Sequence, residues 1–435
     1  MNPCTSVGPT APDTAIRFGD ITAQQRRAGL AAWLGWMFDG LEMHLYTLVA
    51  TPFVMQLLAT TDAGDPQIKE KTAYIQAAFL IGWAVGGVFF GRLGDLLGRS
   101  RTLALTVLTY ALCTGLCAVA QTWWQLLAFR FVAALGIGGE WAVGASLLAE
   151  TWPKAWRPWI AAVLQSGVNV GVLVGAVCVG LIVTVMPAGS ERWVFLVGVL
   201  PALLVFWIRR NVPEPETWQR AEARAHDRTP GVIDLFRGDV LATTLRTTLV
   251  CSLGLGGWWM FLFWQTQHLR KVLDHADVSA AEVTPLISAA FFAFNVASVA
   301  GNFGAGWLAR CIGNRRAIAL LFAGMTAAIY GGFVVPRGFA ALAWFWLPLC
   351  GFFAGVFGLF TMYLPPLFPT LLRTTGAGFC FNIGRIAAAV ASLVFGLLAP
   401  VDDFRVALLC ASAVTAAAAV CSGWLPDHSR EDESP

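Results

Sequence analysis

The chain has 435 residues, 57% of them hydrophobic and only 13% charged, with a mean hydropathy of +0.66. So little polar surface cannot cover a soluble globule, and the fold class expected is an all-α integral membrane protein. The formal net charge of +3 gives no reason to expect a nucleic-acid partner.

Apolar stretches of about 18 or more residues read as transmembrane helices. Twelve occur, at roughly 28–57, 73–91, 102–121, 124–149, 159–186, 193–210, 241–268, 283–309, 317–335, 340–367, 374–399 and 404–424. With the N-terminus placed in the cytoplasm, twenty of the 29 Lys/Arg fall on the inner side. Seven fall outside and two, Arg130 and Arg385, lie within spans. That bias puts both termini in the cytoplasm, and the short loops suggest a bacterial inner membrane. The organisation expected is a tail over 1–27, a six-helix bundle over 28–210, a linker over 211–240, a second bundle over 241–424 and a tail over 425–435. Cys113 and Cys117 fall in a span and read as helix packing, not a disulfide or metal site.

The two bundles read as copies. Gly91-Arg92-Leu93-Gly94-Asp95-Leu96-Leu97-Gly98-Arg99 is echoed 215 residues later by Gly306-Trp307-Leu308-Ala309-Arg310-Cys311-Ile312-Gly313-Asn314. Glu150-Thr151-Trp152-Pro153-Lys154-Ala155-Trp156-Arg157 is echoed by Pro366-Leu367-Phe368-Pro369-Thr370-Leu371-Leu372-Arg373, with Pro366 at the acidic position. Internal repeats of this kind characterise secondary transporters.

Charge inside the spans marks candidate function, because an ionised side chain at the bilayer centre costs roughly 2.5–3.5 kcal/mol on the insertion scale. Span 1 carries Asp39 and Glu42 on one face, with Asp39 about 18 Å from the basic entry at Arg26 and Arg27. They read as proton-titrating carboxylates, with His44 facing the outer vestibule as a weaker candidate. Span 4 carries Arg130 and, three turns deeper, Glu140. Gln165 and Asn169 share a face of span 5. Span 11 places Asn382 and Arg385 in register with that face, Arg385 about 16 Å into the membrane. Its partner is expected to be an anionic substrate or one of the span 1 carboxylates. Trp259 and Phe263 of span 7 are candidates for lining a cavity, and Asn295, Ser298 and Asn302 form a polar stripe on span 8.

These motifs resemble the major facilitator superfamily across essentially the whole chain. The Gly91…Asp95…Gly98-Arg99 loop is similar to its cytoplasmic signature. Asp39-Gly40-Leu41-Glu42, Gly138-Gly139-Glu140-Trp141, Glu150…Pro153…Arg157 and the run from Leu364 to Arg385 are similar to its organic-acid:proton symporters. The resemblance implies a monomer of two pseudo-symmetric six-helix bundles. It also implies a gate built on Gly91, Asp95, Gly98, Arg99, Glu150, Arg157 and Arg373. The chain departs from the pattern at Ala134, Pro158, Pro366 and Leu372, so one inter-half ion pair of the second copy is expected to be missing.

The function expected is import of a small organic carboxylate with protons by alternating access. Arg385, Asn382, Gln165, Asn169, Trp259 and Phe263 would bind substrate, and Asp39, Glu42, Glu140 and Arg130 would couple protons. The proton gradient supplies the energy and no cofactor is expected. A drug antiporter would carry a Gly-Pro motif in span 5, where Gly167–Gly175 holds no proline. A neutral sugar gives Arg385 no role, and a non-transporting sensor need not keep a charged cavity. No HExxH, GxSxG or Cys/His cluster suggests an enzyme.

Overall fold

A computed structural model describes residues 18–60, 62, 65–185, 191–225, 230–276, 278–398 and 404–426. Twelve membrane-length helical segments occur among them: α1 Ala23–Leu57, α2 Pro66–Leu97, α3 Arg99–Cys117, α4 Trp123–Thr151, α5 Arg157–Val185 and α6 Arg192–Asn211 in the first half. The second half holds α7 Val240–Asp274, α8 Ala280–Ile312, α9 Asn314–Phe333, α10 Phe339–Tyr363, α11 Arg373–Leu398 and α12 Phe404–Cys421.

Several helices overrun the apolar stretches that reveal them. Hydropathy registers only the part that needs lipid, whereas backbone pairing continues until a cap stops it. α1 starts at Ala23 because Thr22 and Gln25 close a reciprocal capping box. α2 starts at Pro66, with Asp65 capping Gln67 N–H, and so lifts Lys69 and Lys71 clear of the apolar segment. α10 ends earlier, at Tyr363, because the prolines that follow cannot continue a regular ladder.

The two halves pack alike. α1 lies on α5, α2 on α4 and α3 on α6; six helices on, α7 lies on α11, α8 on α10 and α9 on α12. Between the halves, α2 meets α11, α5 meets α8 and α10, and α4 meets α10 and α11, whereas α1 and α7 share no extensive contact among the described residues. The halves are therefore joined toward the face that carries the Gly91–Arg99 loop, hereafter the loop face. The linker contributes to that face. Its helix Glu216–Arg224 buries Trp218 against the protein rather than lying apart on a membrane surface.

Glycines set the closest approaches. A Cβ on Gly138 would strike the Trp83 carbonyl, so α2 and α4 can touch backbone to backbone only with glycine there. Gly138→Val is expected to destabilise the first half by about 1–3 kcal/mol, the usual cost of overpacking. Thermal denaturation in detergent, followed by size-exclusion chromatography, reads the loss.

Candidate functional site

The loop face is held by a buried charge network built on the first copy of the repeated loop. Asp95 reaches across to the N-terminus of α11, where its Oδ1 accepts the Thr374 N–H at 3.1 Å and its Oδ2 the Thr375 N–H at 2.8 Å. The Thr375 hydroxyl donates to the same Oδ2 at 2.6 Å. An N-terminal turn leaves amides unpaired and carries positive partial charge, so a carboxylate from another helix caps it well. Arg99 ties this cap to α4: Nη1 donates to Asp95 at 3.0 Å, and Nη2 to Glu150 at 2.8 Å and to the Thr370 carbonyl at 2.6 Å. Arg373, opening α11, approaches Glu150 at 3.3 Å. The side chains of Asp95, Arg99 and Glu150 are fully buried, so two carboxylates and two guanidiniums balance out of water.

The backbone permits this arrangement at two glycines. Gly98 has φ +100°, the left-handed region that favours glycine, and a side chain on Gly91 would press on the Thr374 carbonyl. The linker then covers the network. Glu214 accepts the Ser100 and Arg101 N–H groups, capping α3, and the Trp218 indole donates to the Asp95 carbonyl at 3.0 Å.

A second polar cluster lies at mid-membrane. Glu42 pairs with Arg130 and accepts the Thr114 hydroxyl at 2.8 Å. The Arg130 guanidinium lies 4.2 Å from the centre of the Phe79 ring. Asp39 and Glu140 instead face each other, both buried, with the Tyr110 hydroxyl next to Glu140. Glu140 reaches α1 over Gly35, where any side chain would collide with it. Arg385 of the second half stands close enough to Asp39 for their charges to interact. Its Nη1 donates to Asn382 Oδ1 at 2.5 Å, and its guanidinium lies 4.0 Å from the Trp83 ring and 4.9 Å from the Phe381 ring. Its Nε is buried without an acceptor. Phe381 in turn stacks on Trp141 of α4 at 3.9 Å, so the rings beside Arg385 come from both halves.

The sequence matches the Major Facilitator Superfamily over residues 32–364. The chain belongs to that superfamily. It is 27% identical to the sialic acid transporter NanX of Escherichia coli strain K12, covering 87% of this chain and 88% of that one. It is also 27% identical to the cis,cis-muconate transport protein of Acinetobacter baylyi, over 86% and 87% of the two chains. Its fold superposes on a double-tryptophan mutant of XylE with a TM-score of 0.77 at 14% identity, over 93% of this chain and 96% of that one. Like the rest of the superfamily it is a multi-pass membrane transporter and not an enzyme.

Within this superfamily fold, the residues singled out from the sequence group differently than their spacing suggested. Asp39 and Glu42 share a helix face, yet Asp39 goes with Glu140 and Glu42 with Arg130. Helix packing, not sequence distance, chooses the partners. Arg385 forms no ion pair with Glu42 among the described residues, and Asn382, Trp83 and Phe381 hold it in place. Gln165 packs against Gly358 of α10, and Asn169 Nδ2 is buried without an acceptor. Trp259 meets Trp83 at 6.3 Å, and Phe263, one turn along the same face, is 54% exposed. Arg157 opens α5 and donates to the Trp152 carbonyl at 3.4 Å. The His44 side chain lies outside the described residues. Sequence pattern gives Trp83 no role and Trp141 and Phe381 only a place in the family motifs, because an aromatic in an apolar span has the same hydropathy whether it faces lipid or a guanidinium.

The second copy of the loop does not reproduce the first. Arg310 stands where Asp95 does, and its guanidinium lies 5.9 Å from the centre of the Trp159 ring; Pro366 and Leu372 are buried and apolar. Closure of the loop face therefore depends on the Asp95–Arg99–Glu150–Arg373 set. Removing one partner of a buried ion pair costs about 3–5 kcal/mol. Asp95→Asn or Glu150→Gln is thus expected to reverse a closed-state preference of roughly a hundredfold. A widened distance distribution between spin labels at Leu97 and Asn314, measured by electron–electron resonance, reports it.

Proposed function

We propose that this chain is a proton-coupled symporter that imports a small organic carboxylate across a bacterial inner membrane by alternating access, with both termini cytoplasmic. On this reading the loop face is cytoplasmic and the geometry described is outward-facing. The observation that carries the proposal is Arg385. It is a buried cation in mid-span, set against rings from both halves, with its Nε–H unsatisfied and Asp39 within electrostatic range. A guanidinium so placed suits a carboxylate, which it can bind through two parallel hydrogen bonds. The names of the sialic acid and muconate relatives point to the same chemistry.

Coupling follows from competition for that cation. While Asp39 is ionised it occupies the field of Arg385, and a proton shared between Asp39 and Glu140 releases Arg385 to the incoming anion. By linkage, an anion on Arg385 favours the proton on the pair by the same factor. Couplings of this kind typically amount to about 1–3 kcal/mol, or roughly 5–150-fold in affinity. Glu42, whose Oε1 takes both Arg130 and the Thr114 hydroxyl, holds α1 to α4. The proton offsets the charge the anion brings, so loading both adds no net charge to the cluster, and the halves can rock past it.

Proteoliposomes loaded with the purified protein test this with radiolabelled N-acetylneuraminate, cis,cis-muconate and benzoate, with and without an inward proton gradient. Wild-type uptake of at least one acid is expected to rise with the gradient. Arg385→Ala should lower uptake by about a hundredfold or more, the loss expected when a bidentate charged contact is removed. Asp39→Asn should abolish gradient stimulation while substrate exchange across the membrane persists. Uptake indifferent to the gradient, or undiminished in both variants, would overturn the proposal.

A further inference from the structure

The halves also meet at a second polar patch, at the same depth as Arg385 but on the opposite side of the bundle axis, between α5, α8 and α10. Asn302 of α8 is 2% exposed, and neither its amide oxygen nor its nitrogen has a hydrogen-bond partner. Its Oδ1 lies against Gly358 of α10, as does the Gln165 side chain of α5. Thr361, one turn along α10 from Gly358, is fully buried with an unpartnered hydroxyl. Asn302 is ten residues from the loop-face end of its helix and Arg385 twelve, about 15 and 18 Å at the helical rise.

Several polar side chains of the second half pair within their own helices. Asn295, two turns earlier on α8, donates back to the Phe291 carbonyl at 2.8 Å, and Thr326 and Thr244 likewise bond carbonyls of their own helices. Buried polar side chains in lipid-embedded helices normally end in such pairs, because leaving them unmade is costly. Asn302 and Thr361 do not, so their bonding capacity is directed elsewhere. The patch contains no ionic group. On α5, α8 and α10 the charged residues are Arg157, Glu282 and Arg310, each eight or more residues from the patch. Phe360, adjacent to Thr361, meets Phe381 at 6.2 Å, so an aromatic wall runs from this patch to Arg385.

We infer that Asn302 and Thr361, with Gln165, form a specificity subsite for a neutral hydrogen-bonding group on the far end of the carried acid. The substrate class is then an acid with one carboxylate on Arg385, a flat apolar body along Phe360 and Phe381, and an uncharged hydroxyl or carbonyl at the opposite end. A second carboxylate is disfavoured, because no cation meets it there. This inference rests on Arg385 as the carboxylate site and deepens that reading.

The test is competition against radiolabelled benzoate uptake in proteoliposomes, using unlabelled benzoate, 4-hydroxybenzoate and terephthalate. 4-Hydroxybenzoate is expected to compete roughly tenfold better than benzoate, about what one or two satisfied hydrogen bonds provide, and terephthalate worse than either. Thr361→Val, which preserves shape, and Asn302→Leu should erase the advantage of the hydroxyl while leaving the KM for benzoate within about twofold. Two results would overturn the inference. One is equal competition by the three acids; the other is loss of affinity for all of them alike in both variants, as if the patch held only buried water. Failure of the carboxylate reading has a separate signature: benzoate uptake in Arg385→Ala equal to wild type, which removes the anchor and this inference with it.

Discussion

The closed loop face depends on one contact, a carboxylate from α2 seated on the first turn of α11. Asp95 supplies acceptors to amides that a helix start leaves bare, and it does so from the other half of the molecule. Arg99 makes the contact tolerable in a dry environment by neutralising Asp95 and Glu150 together, and Arg373 completes the balance. A buried charge set of this kind stabilises only in its complete form. Parting the halves exposes the groups to water, which replaces the lost partners. The same residues can therefore favour closure and still release.

The mid-membrane cluster follows the same rule with a different result. Glu42 and Arg130 pair within one half, whereas Asp39, Glu140 and Arg385 are distributed across the seam. On the symport proposed above, a proton and an anion would complete that set together. Cation–ring contacts from Trp83 and Phe381 hold Arg385 without satisfying its hydrogen bonds. They position the guanidinium and leave its donors available.

The repeat is faithful in packing and unfaithful in charge. Both halves use the same three helix pairings, yet Arg310 takes the place of Asp95 and Pro366 that of Glu150. The α5–α8 side of the seam is accordingly joined by close backbone packing, such as Gly306 on the Pro158 carbonyl, and by a cation–ring contact. On the α2–α11 side the loop face is latched by a buried ion set.

The sequence alone determined the membrane class, the twelve spans, the two-fold repeat and the candidate charged residues. Each of these is a property of hydropathy, of spacing or of a charge placed where lipid would reject it. The repeat marked the Gly91–Arg99 loop, and the family resemblance grouped it with Glu150, Arg157 and Arg373. Partnership was not legible. That Asp39 turns to Glu140 while Glu42, three residues on, turns to Arg130 depends on how α1 is rotated against α4, which a helical wheel leaves free. The ring clamp on Arg385, the docking of Trp218 on the gate and the unmet amide of Asn302 were likewise settled only in three dimensions. Each is a contact between residues far apart in the chain, and no local pattern encodes which of several polar or aromatic groups another helix will meet.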